Sequence, residues 1–200
     1  MKQKLIFILA LLCAMTTSIF TACSDNDDNP SDPSGDVNKG IVINLDSIVI
    51  KPYLLFGGSL ADVEAYAKNI YTGWTYTTEG WTNILDESLP YWRAIYRRDN
   101  KSVQFIFDAS ANGRYIMVNY GYYNEIPYSA IKAELLRNGF TYEGHLVFPG
   151  DDADVSYMYL SADRSIEVQY GRWDADSCWC LSFQPLDEND LNYLKSLPDV

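Results

Sequence analysis

Apolar and polar residues alternate along most of the chain beyond residue 40, a pattern typical of β-strands with one buried face. Segments 103–107 and 115–120, for example, place an apolar side chain at every second position. The linkers 98–101, 108–114 and 160–164 contain the Asp, Asn, Gly and Ser residues that turns require. We therefore predict antiparallel hairpins. The predicted strands are 91–97, 103–107, 115–120, 145–148, 155–159, 165–170 and 177–183, with a further strand within 41–50.

Two segments have the periodicity of amphipathic helices instead. Residues 59–70 and 129–138 each begin at a serine suited to cap a helix N-terminus. Asp62 lies three residues after Ser59, which is the spacing of a capping box. We predict a helix in each of these segments and a closing helix near 187–197.

Short motifs recur in the same order along the chain. Gly-Trp-Thr-Tyr at 73–76 is echoed by Gly-Phe-Thr-Tyr at 139–142, and Ile-Met-Val-Asn-Tyr-Gly at 116–121 by Ile-Glu-Val-Gln-Tyr-Gly at 166–171. Each Gly-aromatic motif follows a predicted helix and precedes predicted strands. We therefore predict an α+β fold of two tandem repeats, each with one helix followed by a three- or four-stranded antiparallel sheet, and with the helices on one sheet face.

This element order resembles the architecture of the beta-lactamase inhibitor protein family, in which two such copies form a concave sheet that binds another protein. The resemblance lies in the order of elements alone, so it transfers no contact residues. The predicted organisation is a first repeat at 41–124, which includes the N-terminal strand, and a second repeat at 125–200, which includes the closing helix.

Alternation with a period of two also assigns the strand residues to two sheet faces. Ile116, Val118 and Tyr120 fall on the face predicted to meet the helices, as do their echoes in the second copy. No predicted helix covers the opposite face, so we predict an open, semi-polar surface suited to recognition. The residues with the parity of that surface are Met117, Asn119, Glu167 and Gln169, together with the aromatic Tyr115, Tyr123 and Trp173.

The N-terminal 22 residues have the order of a secretory signal peptide: Lys2 and Lys4, an apolar run, and then small residues. The run extends over roughly 11 residues, too few for a transmembrane helix, which needs about 20. Phe-Thr-Ala-Cys at 20–23 resembles the lipobox of bacterial lipoproteins, with Phe20 in place of the usual leucine. The resemblance implies cleavage before Cys23 and lipidation of that cysteine, and several acyl chains form a stable membrane anchor.

Residues 24–36 contain no apolar side chain other than proline and are rich in Asp and Ser, so we predict a disordered acidic linker over 23–40. The acidic cluster at 24–28 resembles the export tag of Bacteroidota surface lipoproteins, and a plain charged spacer is the main alternative interpretation. A calcium loop is the weakest one, because Asp25, Asp27 and Asp28 lack the glycine turn and the distal Glu of an EF-hand. The resemblance covers 1–28. It implies an outer-membrane lipoprotein of the cell envelope that faces either the periplasm or the exterior.

Composition restricts the chemistry of the predicted domain. With 15 Lys and Arg against 27 Asp and Glu, the chain has a formal charge of −12, which argues against a nucleic-acid partner. His145 is the single histidine of the chain, which argues against a His-based zinc site and against a Ser-His-Asp triad. We interpret His145 as a surface residue. The pairs Asp151 and Asp152, and Asp174 and Asp176, are carboxylates that a glycosidase could use, but solvated loops are the favoured interpretation.

Cys178 and Cys180 are the cysteines that remain in the predicted domain. Residues two apart on a strand have Cα atoms roughly 6.6 Å apart, at the far edge of disulfide geometry. The pair is therefore either two packed thiols or a strained, easily reduced disulfide. We predict no metal and no cofactor.

The aromatic residues are the main candidates for binding, since the chain has 16 Tyr and 5 Trp. Trp81 and Trp92 flank the insertion 77–90, which the second predicted copy lacks. The predicted binding residues are Trp81, Trp92, Tyr115, Tyr123 and Trp173. The leading hypothesis is a lipid-anchored, non-enzymatic module that binds a protein or a glycan. The alternatives are a carboxylate-dependent glycan hydrolase and an inhibitor or structural subunit that docks on another envelope protein.

Overall fold

A computed structural model describes residues 40–186, with gaps at 46–47, 84–85, 109–111, 125, 148–154 and 174–177. Several predicted features lie outside the described residues: the signal peptide, Cys23, the acidic linker, the two Asp pairs and the closing helix. The two described helices are α1 (Leu60–Ile70) and α2 (Tyr128–Arg137). The described strands are β1 (Ile43–Leu45), β2 (Ile48–Ile50), β3 (Thr75–Asn83), β4 (Asp86–Arg98), β5 (Lys101–Asp108), β6 (Tyr115–Tyr122), β7 (Thr141–Val147), β8 (Val155–Leu160), β9 (Ile166–Trp173) and β10 (Cys178–Pro185).

Eight of these strands form one antiparallel sheet in the order β3-β4-β5-β6-β10-β9-β8-β7, and β1 pairs with β2 in a separate hairpin. The centre of the large sheet is the pairing of β6 with β10, which runs from Tyr122 opposite Trp179 to Val118 opposite Phe183. The remaining neighbours in the sheet are consecutive in the chain, as antiparallel hairpins require.

The prediction of two tandem helix-plus-sheet repeats is therefore wrong. The described chain is mostly β, with two helices beside a single eight-stranded sheet and a two-stranded one. Two separate sheets would each leave a row of unpaired backbone N–H and C=O groups along β6 and β10, and the pairing of those strands satisfies these groups. The insertion predicted at 77–90 belongs to the long strands β3 and β4.

The predicted capping box is confirmed at the start of α1. The side chain of Ser59 accepts a hydrogen bond from the backbone N–H of Asp62 at 3.3 Å, and the Asp62 carboxylate accepts from the Ser59 N–H at 2.8 Å. The Ser59 hydroxyl also donates a hydrogen bond to the Asp62 carboxylate at 2.6 Å, and this bond, together with the one from the Ser59 N–H, lowers the pKa of Asp62. By contrast, α2 starts after Pro127, and its N-terminus has no side-chain cap and no acidic residue in the first turn.

Both helices pack on the same face of the sheet, which we call the helix face. Val63 and Ala67 of α1 and Ile131 and Leu135 of α2 are buried in one hydrophobic core. The sheet residues of that core include Phe105, Val118, Tyr120, Val168, Leu181 and Phe183. We call the opposite face the outer face.

Candidate functional site

The outer face does not present the open surface that the sequence predicted. Asn119 is 1% exposed and Glu167 is 2% exposed, although both belong to the predicted recognition surface. Ile95 and Leu160 on the same face are also buried, and Tyr91, Ile106 and Met117 form a small hydrophobic cluster there. The described centre of this face is therefore shielded from solvent.

The predicted binding residues do not come together in the described structure. Tyr115 is fully buried on the helix face, because a register shift between Ile106 and Phe107 changes the parity of the strand, so its predicted outward orientation is wrong. Trp92 also packs against the core. Tyr123 is 53% exposed just after β6. The backbone of Trp81 lies in β3 and that of Trp173 in β9, and the side chains of both residues lie outside the described part of the structure.

Cys178 and Cys180 are both buried on the outer face, and no disulfide joins them. Cys180 lies opposite Gly121 of β6 and Gly171 of β9. A Cβ atom added at Gly121 would come within 2.7 Å of the Ser102 Oγ atom, so this part of the sheet is closely packed. This geometry corresponds to the packed-thiol interpretation.

A different group of side chains forms a candidate binding site at the end of the sheet made by β7 and β8. We call it the edge cluster and define it as Tyr128, Tyr142, His145, Tyr157 and Tyr159, with Lys132 beside it. Tyr159 is buried, whereas Tyr128, Tyr142, His145 and Tyr157 are partly exposed. The cluster therefore has a buried floor, formed by Tyr159, and a rim of side chains that solvent can reach.

A β-bulge in β7 orients two members of the edge cluster. The register of β7 against β8 shifts between Tyr142 and Gly144, and Gly144 has a φ of 147°, which side-chain-bearing residues rarely adopt. Tyr142 then lies opposite Tyr159, and His145 lies opposite Tyr157. In a regular strand, residues three apart would face opposite sides, so the bulge brings Tyr142 and His145 to one face.

Helix α2 contributes its first residue, Tyr128, to the edge cluster, beside the residues from β7 and β8. The ring of Tyr128 stacks on that of Tyr157 with centroids 3.5 Å apart and an interplanar angle of 13°. The hydroxyl oxygens of Tyr128 and Tyr159 are 2.7 Å apart, and the Tyr142 hydroxyl lies 2.9 Å from the His145 Nδ1 atom. These contacts hold the rings in place before any ligand arrives.

The stack continues into the protein core. The ring of Tyr170 is nearly parallel to that of Tyr128, with centroids 6.3 Å apart, and it stacks on Trp179 at 5.6 Å. Tyr170 is fully buried, and its hydroxyl donates a hydrogen bond to the Ile126 carbonyl at 2.5 Å. Burial raises the pKa values of Tyr128, Tyr142 and Tyr159, so these phenols remain protonated and able to donate hydrogen bonds at neutral pH.

Lys132 brings a positive charge to the edge cluster. Its Nζ atom lies 5.5 Å from the centroid of the Tyr142 ring and 6.0 Å from that of Tyr128. Both distances are within the range of cation–π attraction. The ammonium group therefore lies over the aromatic rim of the cluster.

Sequence reasoning identified His145 as a partly exposed residue but missed the edge cluster. The signal that could have revealed it was Gly144, because a glycine inside a strand pattern marks a bulge. The stacking of Tyr128 on Tyr157 joins residues far apart in the chain, and no local pattern contains that contact.

Comparisons with protein-family models, with curated proteins and with solved structures find no match to this chain. Neither helix in the described ranges is long and apolar enough to cross a membrane. Within those same ranges, no group of three or more His, Cys, Asp or Glu side chains is placed to hold a metal ion.

Proposed function

We propose that the protein is a lipid-anchored, non-enzymatic binding module of the cell envelope and that it binds a glycan at the edge cluster. The signal peptide and the lipobox-like Cys23 support the location. The partly exposed stack of Tyr128 on Tyr157 is the observation that carries the choice of ligand.

The edge cluster has the two kinds of surface that a sugar ring requires. A pyranose has apolar C–H faces, which pack on aromatic rings, and hydroxyl groups, which exchange hydrogen bonds with polar groups. The exposed parts of the Tyr128 and Tyr157 rings offer the first, and the phenol of Tyr142 and the imidazole of His145 offer the second. The existing contacts among these side chains reduce the entropy lost on binding.

A protein partner is less well supported by the described surface. Protein interfaces centre on a contiguous group of large hydrophobic anchors. In the described part of the chain, the exposed large hydrophobic side chains lie on six different elements or connections: Val49, Leu55, Ile70, Tyr76, Tyr123 and Leu136.

The ion pair of Glu143, the acidic residue that lies within the edge-cluster segment of β7, favours binding without hydrolysis. Glu143 follows Tyr142 in β7, and its carboxylate pairs with the guanidinium of Arg164 at 3.5 Å. A glycosidase places two carboxyl groups on either side of the scissile bond. Glu143 faces a cation instead, which suits a structural role.

Replacement of Tyr157 by alanine tests the proposed site. Y157A removes one ring of the stack, so we expect binding to weaken by about tenfold or more, which corresponds to about 1.4 kcal/mol. The full chain is expressed in a host that exports lipoproteins, extracted in mild detergent and applied to an array of neutral and acidic oligosaccharides. Titration calorimetry of the strongest binders then compares Y157A with the unmodified chain.

Y123A is the matched control, because Tyr123 is an exposed tyrosine outside the edge cluster. We expect it to bind like the unmodified chain. Equal affinity of a folded Y157A variant, or capture of a protein and of no glycan, would contradict the proposed site.

The anchor is tested separately by C23S. The oxygen of serine cannot replace the cysteine sulfur as the acceptor of the diacylglycerol group in lipoprotein maturation. We therefore expect the variant to carry no acyl groups. Intact-mass spectrometry of membrane extracts measures this. A native chain whose mass shows no acyl groups would contradict the anchor and leave the edge cluster unaffected.

A further inference from the structure

We propose that the glycan bound by the edge cluster is anionic and that its carboxylate or sulfate group pairs with the ammonium group of Lys132. This inference rests on the proposed function and specifies the class of glycan. It follows from the position of Lys132, from the lack of an acidic partner for it within the described ranges and from the charge around it.

Lys132 lies over the site and is exposed to solvent. It follows Tyr128 by four residues in α2, so one helical turn places both side chains on the same side of the helix. Its Nζ atom is 5.5 Å from the Tyr142 ring centroid and 6.0 Å from that of Tyr128. A sugar packed on the rim would therefore have its substituents within reach of the ammonium group.

Lys132 takes part in none of the ion pairs found among the described residues. Glu134, the acidic residue nearest to it in α2, is already engaged: its carboxylate accepts hydrogen bonds from the Asn44 N–H at 2.6 Å and from the Arg137 guanidinium. No acidic side chain in the described part of the chain thus occupies the ammonium group, which we infer to pair with an anion supplied by a ligand.

The surroundings favour a negative ligand at this point of an otherwise acidic protein. The chain carries 27 Asp and Glu against 15 Lys and Arg, so a polyanion would be repelled by most of the surface. At the edge cluster, the N-terminus of α2 has neither a side-chain cap nor an acidic residue in its first turn, and it adds a partial positive charge beside Tyr128.

The experiment compares three oligosaccharides of equal length by titration calorimetry with the full chain in detergent: tetragalacturonate, its methyl ester and a sulfated galactan tetrasaccharide. The ester keeps the sugar backbone and removes the charge. We expect one or both anionic forms to bind at least tenfold more tightly than the ester, and the anion that does so identifies the group. Added salt should reduce that preference.

Lysine variants connect the preference to Lys132. K132M keeps the aliphatic side chain and loses the charge, so its affinity for the anionic form should fall to that for the ester, whereas K132R should retain the preference. K68M is the matched control, because Lys68 is an exposed lysine of α1.

The outcomes separate this inference from the proposed function. Equal binding of the anionic and esterified forms, both weakened by Y157A, would overturn the inference and leave the glycan site intact. A preference that persists in K132M would also overturn it. Failure of every glycan to bind would overturn the proposed function and the inference together.

Discussion

Above about pH 10 the protein is expected to unfold in a single cooperative transition. The buried phenol side chains on or against the helix face include those of four tyrosines: Tyr71, Tyr115, Tyr120 and Tyr122. Burial raises the pKa of each of them above the ordinary value of 10.0, because a phenolate would lose its hydration in the core.

The sign of the effect follows from the direction of these pKa shifts. In the unfolded chain these tyrosines lose their protons near pH 10, whereas in the folded protein they keep them. The stability that they contribute is therefore complete below pH 10 and is lost as the pH rises toward the folded pKa values. Each proton contributes a slope of about 1.4 kcal/mol per pH unit. Four tyrosines would together remove about 5 kcal/mol per unit, which is comparable with the whole stability of a typical domain.

Circular dichroism and phenolate absorbance recorded over the same pH range check this prediction. We expect the part of the phenolate absorbance that comes from the buried tyrosines to change together with the circular dichroism, since buried phenols ionise only when the fold opens. The variant Y120F should show a shallower dependence, because it lacks one of the four protons. Phenolate formation at all 16 tyrosines with unchanged circular dichroism would contradict the account.

Truncation of Phe105 in β5 should strongly destabilise the protein. Its ring is fully buried and contacts the rings of Tyr71, Tyr96 and Tyr115, with centroids 5.9–6.2 Å away. F105A would leave a cavity between α1 and the sheet, and we expect a loss of about 3–5 kcal/mol in the free energy of unfolding.

Urea denaturation followed by circular dichroism measures this change, and Y123A serves as its control. Tyr123 is more than half exposed, so its truncation should change the stability by less than about 0.5 kcal/mol. If F105A proves too unstable to purify, F105L gives the same direction with a smaller cavity. A loss below about 1 kcal/mol in F105A would show that the core is not packed as described.

Local sequence signals predicted the elements of the fold well. Ser59 and Asp62 indicated the start of α1, because a capping box involves residues only three apart. Gly139 marked the end of α2, where it adopts a φ of 82°. Alternation similarly revealed most of the strands, because it reports the two faces of each strand directly.

The errors arose where contacts join distant residues. The alternation of apolar and polar residues shows the two faces of a strand but not which strands pair at their edges. The pairing of β6 with β10 was therefore missed, and two units were predicted in place of one sheet. The bulge near Phe107 reversed the parity of Tyr115 and moved it from the predicted outer surface into the core.

The edge cluster depends on both kinds of information. The bulge at Gly144 is visible in the sequence as a glycine within a strand. The approach of Tyr128 to Tyr157 depends on how α2 packs across the sheet, which only the folded structure contains. For this reason none of the binding residues predicted from the sequence belongs to the edge cluster: Trp81, Trp92, Tyr115, Tyr123 and Trp173.

Hydrogen–deuterium exchange of the full chain, with and without saturating tetragalacturonate, tests the location of the glycan site most directly. The first turn of α2 has no side-chain cap, and β7 is the edge strand of the sheet, so backbone amides at both places should exchange quickly in the free protein. The ligand is predicted to slow exchange in the first turn of α2, in β7 and in β8. Protection confined to β3 and β4 would contradict a glycan site at the edge cluster, and so would a bound ligand that leaves α2, β7 and β8 unchanged.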